Sequence, residues 1–168
     1  MASIDIREER ANDIPAIREV NRRAFGSDHE GQIVDALRTN HAVSLSLVAT
    51  LNGAVVGHIL YSPAVVGTVE GAALGPMAVL PGHQRQGIGS QLVATGNQRL
   101  QMAGCPFIIV IGHPGFYPRF GFTSAHRLGI TCEWNVPGDV FMVLVMDSQK
   151  AGALRGLAEY RPEFSTAS

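Results

Sequence analysis

Apolar positions along this chain follow two rhythms, a period of two and a period near 3.6, and the switches between them outline most of its elements. Residues Ser3 to Arg7 alternate and predict a short strand. Asn12 or Asp13 then caps a helix reaching about Phe25, with Pro15 tolerated in its first turn and Ile14, Ile17 and Val20 as its apolar stripe. A second helix spans about His29 to Arg38, with Ile33, Val34 and Leu37 facing inward. Val43 to Leu51 and Ala54 to Tyr61 predict strands joined by Asn52-Gly53, a dipeptide suited to a type I′ turn because both of its central positions need positive φ. The next strand, about Thr68 to Val79, is interrupted at Gly71 and at Gly75-Pro76. Pro76 has no N–H to give to a ladder, so the strand is expected to bulge or splay there. Ile88 to Met102 predicts a helix with Ile88, Leu92, Val93 and Leu100 inside, closed by Gly104, and Phe107 to Ile111 reads as a buried strand. Pro114 to Phe120 predicts one or two helical turns, Ile130 to Trp134 and Val140 to Met146 the last strands, Ala151 to Tyr160 a short helix, and Ser165 to Ser168 a frayed end.

Charge sharpens this outline. Between Arg38 and Arg85 the sole Asp, Glu, Lys or Arg is Glu70, and between Arg99 and Arg119 there is none. Central strands covered on both faces, with charged helices outside, account for that distribution. The 168 residues fit one mixed α/β domain. At 46% hydrophobic and 16% charged the composition is globular, and a formal net charge of −1 offers no broad attraction to nucleic acid or to an anionic membrane. Any bound anion must be held by a local arrangement. Cys105 and Cys132 have no metal-ligand spacing and read as buried thiols, although one disulfide is arithmetically allowed. No histidine pair has a metal-binding spacing, so no metal is expected. Met1 to Glu8 carries charges where a secretory signal needs an apolar stretch, and the apolar runs fall short of the roughly 20 residues that cross a bilayer. The expected location is the cytoplasm.

One segment carries candidate chemistry. After the strand ending at Val79, the run Gln84-Arg85-Gln86-Gly87-Ile88-Gly89-Ser90 leads into a helix. Glycines let such a turn fold tightly and present successive N–H groups on its concave side, and the helix start adds unpaired N–H groups and the positive end of its dipole. This suits a phosphate or pyrophosphate, with Gln84 and Ser90 as neutral donors and Arg85 at the rim. Two better-known phosphate loops fail. A dinucleotide fingerprint needs a small residue where Leu92 stands and an acid about twenty residues on, and a triphosphate loop needs a lysine, the first of which is Lys150.

What remains matches Gln/Arg-x-x-Gly-x-Gly/Ala. The stretch from Leu74 to Val93 resembles the acetyl-CoA-binding core of the GCN5-related N-acetyltransferases, the GNAT family. The later run Val110 to Phe122, with Tyr117-Pro118-Arg119-Phe120-Gly121-Phe122, resembles that family's Tyr-x-x-x-Gly-Phe region in the form seen in the YhbS-like group. The resemblance implies a single α/β (α+β) domain with a central mixed seven-stranded sheet, splayed between strands 4 and 5 and flanked by helices. Its core would cover about residues 3–147, with a C-terminal extension over 148–168. The implied activity is direct transfer of an acetyl group from acetyl-CoA to an amine acceptor in a ternary complex. Pantetheine would lie against Met77, Ala78 and Val79, with the Met77 N–H donating to the thioester carbonyl, and Gln84, Arg85, Gln86, Gly87, Ile88, Gly89 and Ser90 would cradle the pyrophosphate.

Tyr117 aligns with the family's general acid, a phenol that stays protonated at neutral pH. The splayed strand carries no acid, which leaves Glu30, Glu70 or a water relay as general base. It also leaves a second reading, a non-catalytic acyl-CoA sensor on the same fold. His113 is placed to face the acyl site, His83 borders the turn, His58 falls inside a strand, and Trp134 and Tyr160 belong either to the core or to an acceptor pocket. The family also admits a homodimer. The acceptor itself has no recognisable code in the sequence.

Overall fold

In the computed structural model, which describes residues 3–166, the Asn52-Gly53 hairpin sets the middle of the sheet. Both residues have positive φ, 51° and 81°, as a type I′ turn demands. The hairpin joins β2 (Leu45–Leu51) to β3 (Ala54–Val66), and β1 (Ile4–Glu8) pairs antiparallel with β2. β4 (Val69–Val79) returns antiparallel along β3, and β5 (Phe107–Ile111) pairs parallel with β4. β8 (Phe141–Val145) and the short β6 (Thr123–Ser124) complete the order β1-β2-β3-β4-β5-β8-β6. β7 (Ile130–Cys132) and β9 (Gly156–Glu159) form a parallel pair that joins the sheet where β9 meets Val65 and Val66 of β3. All seven strands expected from the sequence are present, and β6 and β9 bring the described sheet to nine.

Both faces of the sheet are covered, as the uncharged centre of the chain predicted. Alternate residues of β2 part company: Leu47 and Ala49 pack with Ile88 and Leu92 of α3 (Ile88–Met102), whereas Val48 packs with Ile17 of α1 (Ile14–Phe25) and with Val34 and Leu37 of α2 (His29–Thr39). Burial of a side chain such as Leu92 contributes about 1.5–3 kcal/mol. The buried Tyr61 of β3 donates its hydroxyl to Asn97 Oδ1 at 2.8 Å, which fixes the helix that follows the glycine-rich turn. Asp13 immediately precedes α1, but its carboxylate is engaged with the Arg7 guanidinium at 2.7 and 3.0 Å and with the Arg10 N–H at 2.7 Å instead of capping the helix. No described helix is long and apolar enough to cross a membrane.

The helix expected over Ala151 to Tyr160 is not formed. A 3₁₀ turn occupies Ser148–Ala153, and β9 follows. Gly156 adopts φ 95°, which ends any helix there. The distal end of β3 extends past Tyr61, the last residue paired to β2, and its exposed backbone groups need a partner. β9 supplies one, and this long-range demand overrides local helix propensity. The last turn, α4 (Glu163–Thr166), covers part of the segment expected to fray, and the remainder of that segment lies outside the described residues.

A buried polar chain ties α1, α2 and the first strands together. Asn21 Nδ2 donates to the Ile17 carbonyl and to His58 Nδ1, so His58 carries its proton on Nε2 and donates it to Ser46 Oγ at 3.0 Å. Ser46 donates in turn to Glu9, which accepts twice from Arg38 at 2.9 Å. Burial, with a smaller push from Arg38 that opposes Glu9, lowers the His58 pKa from 6.5 to about 4. The unfolded chain therefore binds a proton at His58 that the folded chain refuses between those values, so stability falls as pH drops through this window. The gap corresponds to about 3 kcal/mol. Urea unfolding of the protein at pH 7 and pH 4.5 should show that loss, and His58→Gln should remove most of His58's share of the pH dependence whatever its own stability.

Candidate functional site

Pairing of β4 with β5 runs through Ala72–Ile108, Ala73–Ile109 and Leu74–Val110 and stops there. The next residues of β4 are Gly75, with φ 149°, and Pro76, joined by a cis peptide bond. On the β3 side these two residues oppose Leu60 alone, between the pairs Tyr61–Leu74 and Ile59–Met77. β4 then continues along β3 without β5. The Leu80 N–H donates to the Val56 carbonyl at 2.9 Å, which sets the alternation of the ladder. Ala78 and Leu80 face β3, and the backbone groups of Met77 and Val79 face the open edge.

Two hollows meet at this edge. The first, a groove of about 570 Å³, runs from Met77 and Val79 along the glycine-rich turn to Phe116 and Arg119. Gly87 caps α3 in the left-handed region at φ 83° with no side-chain cap, and the helical ladder begins with the Gln91 N–H donating to the Gly87 carbonyl at 3.1 Å. The N–H groups of Gly87, Ile88, Gly89 and Ser90 thus have no acceptor within the helix. Arg85, itself at φ 64°, and Arg119, 5.0 Å from the Phe116 ring centroid, give the groove positive charge, and among the described residues no Asp or Glu lines it. Such a surface takes an anion. The second hollow, about 470 Å³, shares Met77 and His113 with the first and is walled by the end of α1, the start of α2 and the C-terminal aromatic residues.

The sequence matches the acetyltransferase (GNAT) domain over residues 42–124. It is 33% identical to the uncharacterized N-acetyltransferase YhbS of Escherichia coli over 163 residues, 95% of this chain and 98% of that protein. The chain belongs to the GNAT family. The E. coli YhbS structure in complex with CoA matches at a TM-score of 0.94, covering 98% of this chain and 93% of that one. A GNAT family acetyltransferase from Brucella melitensis in complex with acetyl-CoA matches at 0.81, with 36% identity over 96% of this chain and 98% of its own.

Within this GNAT fold the residues singled out from the sequence separate clearly. Met77, Val79, Gln84, Arg85, Gly87, Ile88, Gly89 and Ser90 line the groove. Ala78 does not, because its backbone faces β3 and its side chain is buried, and Gln86 is exposed outside the groove. Gln84 donates an amide hydrogen to the Val79 carbonyl at 3.0 Å, so its side chain fastens the turn to the strand end. Glu30 lines the second hollow, whereas Glu70 lies opposite Val65 near the far hairpin and reaches neither. His83 lines the groove and His113 both hollows, while His58 is locked in the core. Trp134 and Tyr160 line the second hollow. Arg119 and Phe164 were not singled out from the sequence. Arg119 stands inside the second motif, and Phe164 lines the second hollow from α4, which follows β9. Among the described residues no group of three or more His, Cys, Asp or Glu is placed to hold a metal ion.

Tyr117 lies in the wall of the second hollow, edge-on to Phe116 at 5.0 Å and to Phe122 at 5.7 Å. Burial pushes its phenol up to about 12. Its ring lies against the backbone at Gly112, where a Cβ would collide with it. Gly112→Ala should therefore move the ring or strain β5, costing about 1–3 kcal/mol. Urea unfolding measures that loss, and Gly115→Ala, where an added Cβ meets open space, should leave stability nearly unchanged.

Proposed function

We propose that this chain transfers an acetyl group from acetyl-CoA directly to an amine, with both substrates bound at once. The observation that carries the reading is the open edge at Met77 and Val79, which lies where the cationic groove meets the second hollow. The relatives with CoA and acetyl-CoA bound support CoA as the donor, and the cationic groove offers it a fitting site. Pyrophosphate suits the free N–H groups at the start of α3, and pantetheine suits the open edge as an added strand would. The acetyl group then reaches the junction, and the amine approaches from the second hollow.

The chemistry follows from these placements. The amine nitrogen attacks the thioester carbonyl, and the Met77 N–H donates to the oxygen as negative charge develops on it. The C–N bond forms, the C–S bond breaks, the thiolate leaves toward Tyr117, and the extra proton left on the amide nitrogen passes to solvent. A phenol raised to about 12 remains protonated throughout the working range. Full proton transfer from it to a thiolate, whose conjugate thiol has a pKa of about 8.5, is uphill. Its contribution is a hydrogen bond that strengthens as charge builds on sulfur. No carboxylate stands on the unpaired part of β4, which leaves Glu30 in the second hollow, or a water relay, to take the ammonium's proton before attack.

Release of free thiol from acetyl-CoA in the presence of an amine panel tests the reading. Tyr117→Phe should lower kcat by about 10- to 100-fold and leave the Kd for CoA unchanged. A protein that binds CoA, releases no thiol with any amine and is indifferent to Tyr117→Phe would be a sensor and not an enzyme.

A further inference from the structure

We propose that the acceptor is a small amine bearing a single positive charge on an apolar, ring-containing body, held by Glu30 and by a wall of Trp134, Tyr160 and Phe164. This rests on the transferase reading above and names the substrate class of the second hollow.

The wall is a continuous run of rings. Trp134 meets Tyr160 edge-on at 4.9 Å and 63°, and Tyr160 meets Phe164 at 5.4 Å and 73°. The Tyr160 N–H donates to Glu133 Oε1 at 2.8 Å, which holds the middle ring in place. These rings come from the chain after β7, the end of β9 and α4, so three separate segments build one apolar face. A volume of about 470 Å³ suits a small molecule.

Charge narrows the class further. Among the described residues no Asp, Lys or Arg lines this hollow, and Glu30 is its one carboxylate, with His29 and His113 beside it. Glu30 has the Ser27 hydroxyl at 3.4 Å and, among the described residues, no cation within ion-pair distance. One ammonium is thus matched. A second one, as on a polyamine, would be pressed against aromatic rings without a counter-charge. A free amino acid would bring a carboxylate toward Glu30 with no lysine or arginine to receive it. A small hydrophilic amine would leave the ring wall unused. An aryl-alkyl amine satisfies all three conditions, with its ring against the aromatic wall and its ammonium near Glu30 until deprotonation.

Trp134 is the single tryptophan of the chain, so its fluorescence reports directly on this wall. The protein is titrated with 2-phenylethylamine, spermidine, phenylalanine and ethanolamine, with and without CoA, and thiol release from acetyl-CoA is followed with the same four compounds. 2-Phenylethylamine should give a saturable fluorescence change at a midpoint at least tenfold below the others, and Glu30→Gln should raise that midpoint at least tenfold. Equal or tighter binding of spermidine, phenylalanine or ethanolamine overturns the proposal, as does the absence of any saturable change with 2-phenylethylamine. Binding of 2-phenylethylamine without thiol release from any of the four keeps the inference and counts against the transferase reading. Thiol release with the other amines and none with 2-phenylethylamine does the reverse.

Discussion

A strand in the middle of a sheet satisfies two rows of backbone groups, and β4 does so on both sides only as far as Leu74. Beyond the Gly75-Pro76 step its second row, represented by Met77 and Val79, has no strand beside it. Unpaired polar backbone inside a fold is costly unless something else pairs with it. In this molecule the unpaired stretch is held rigidly from the other side by β3, so its N–H groups point in fixed directions. The rest of the site is arranged around that edge: the turn and α3 at one end, Tyr117 and the aromatic wall at the other.

The two hollows that meet at the edge differ in charge. Arg85 and Arg119 line the groove without an acid, whereas Glu30 faces the second hollow without a lysine or arginine. Under the proposed reading, an anionic donor and a cationic acceptor would be sorted to opposite sides of the reacting bond by complementary fields. The nearly neutral chain as a whole conceals this division. Burial acts at the junction too, pushing the Tyr117 phenol up to about 12 where its ring lines the second hollow.

Local signals made the groove and its turn legible in the sequence. Asn52-Gly53, Gly75-Pro76 and the Gly87-Ile88-Gly89 turn each act through backbone requirements that depend on adjacent residues alone, and each is found where expected. The second hollow depends on contacts across the chain. Glu30 and Glu70 are indistinguishable as isolated acids, and only the hairpin geometry of β3 and β4 removes Glu70 from the site. The segment 151–160 has a helical composition, yet the unfinished edge of β3 draws it into β9 and thereby delivers Tyr160 and Phe164 to the aromatic wall. Gly112 gave no periodic signal at all, and its role emerges from the ring packed against it.

The central claim is that the open edge of β4 receives the donor through alternate residues. Amide NMR of the ¹⁵N-labelled protein titrated with acetyl-CoA addresses it residue by residue. The account predicts large shifts for the N–H groups of Met77, Val79, Gly87 and Gly89, with Ala78 between them nearly unmoved. Shifts confined to other strands, or a response of Ala78 equal to that of Met77 and Val79, would contradict it.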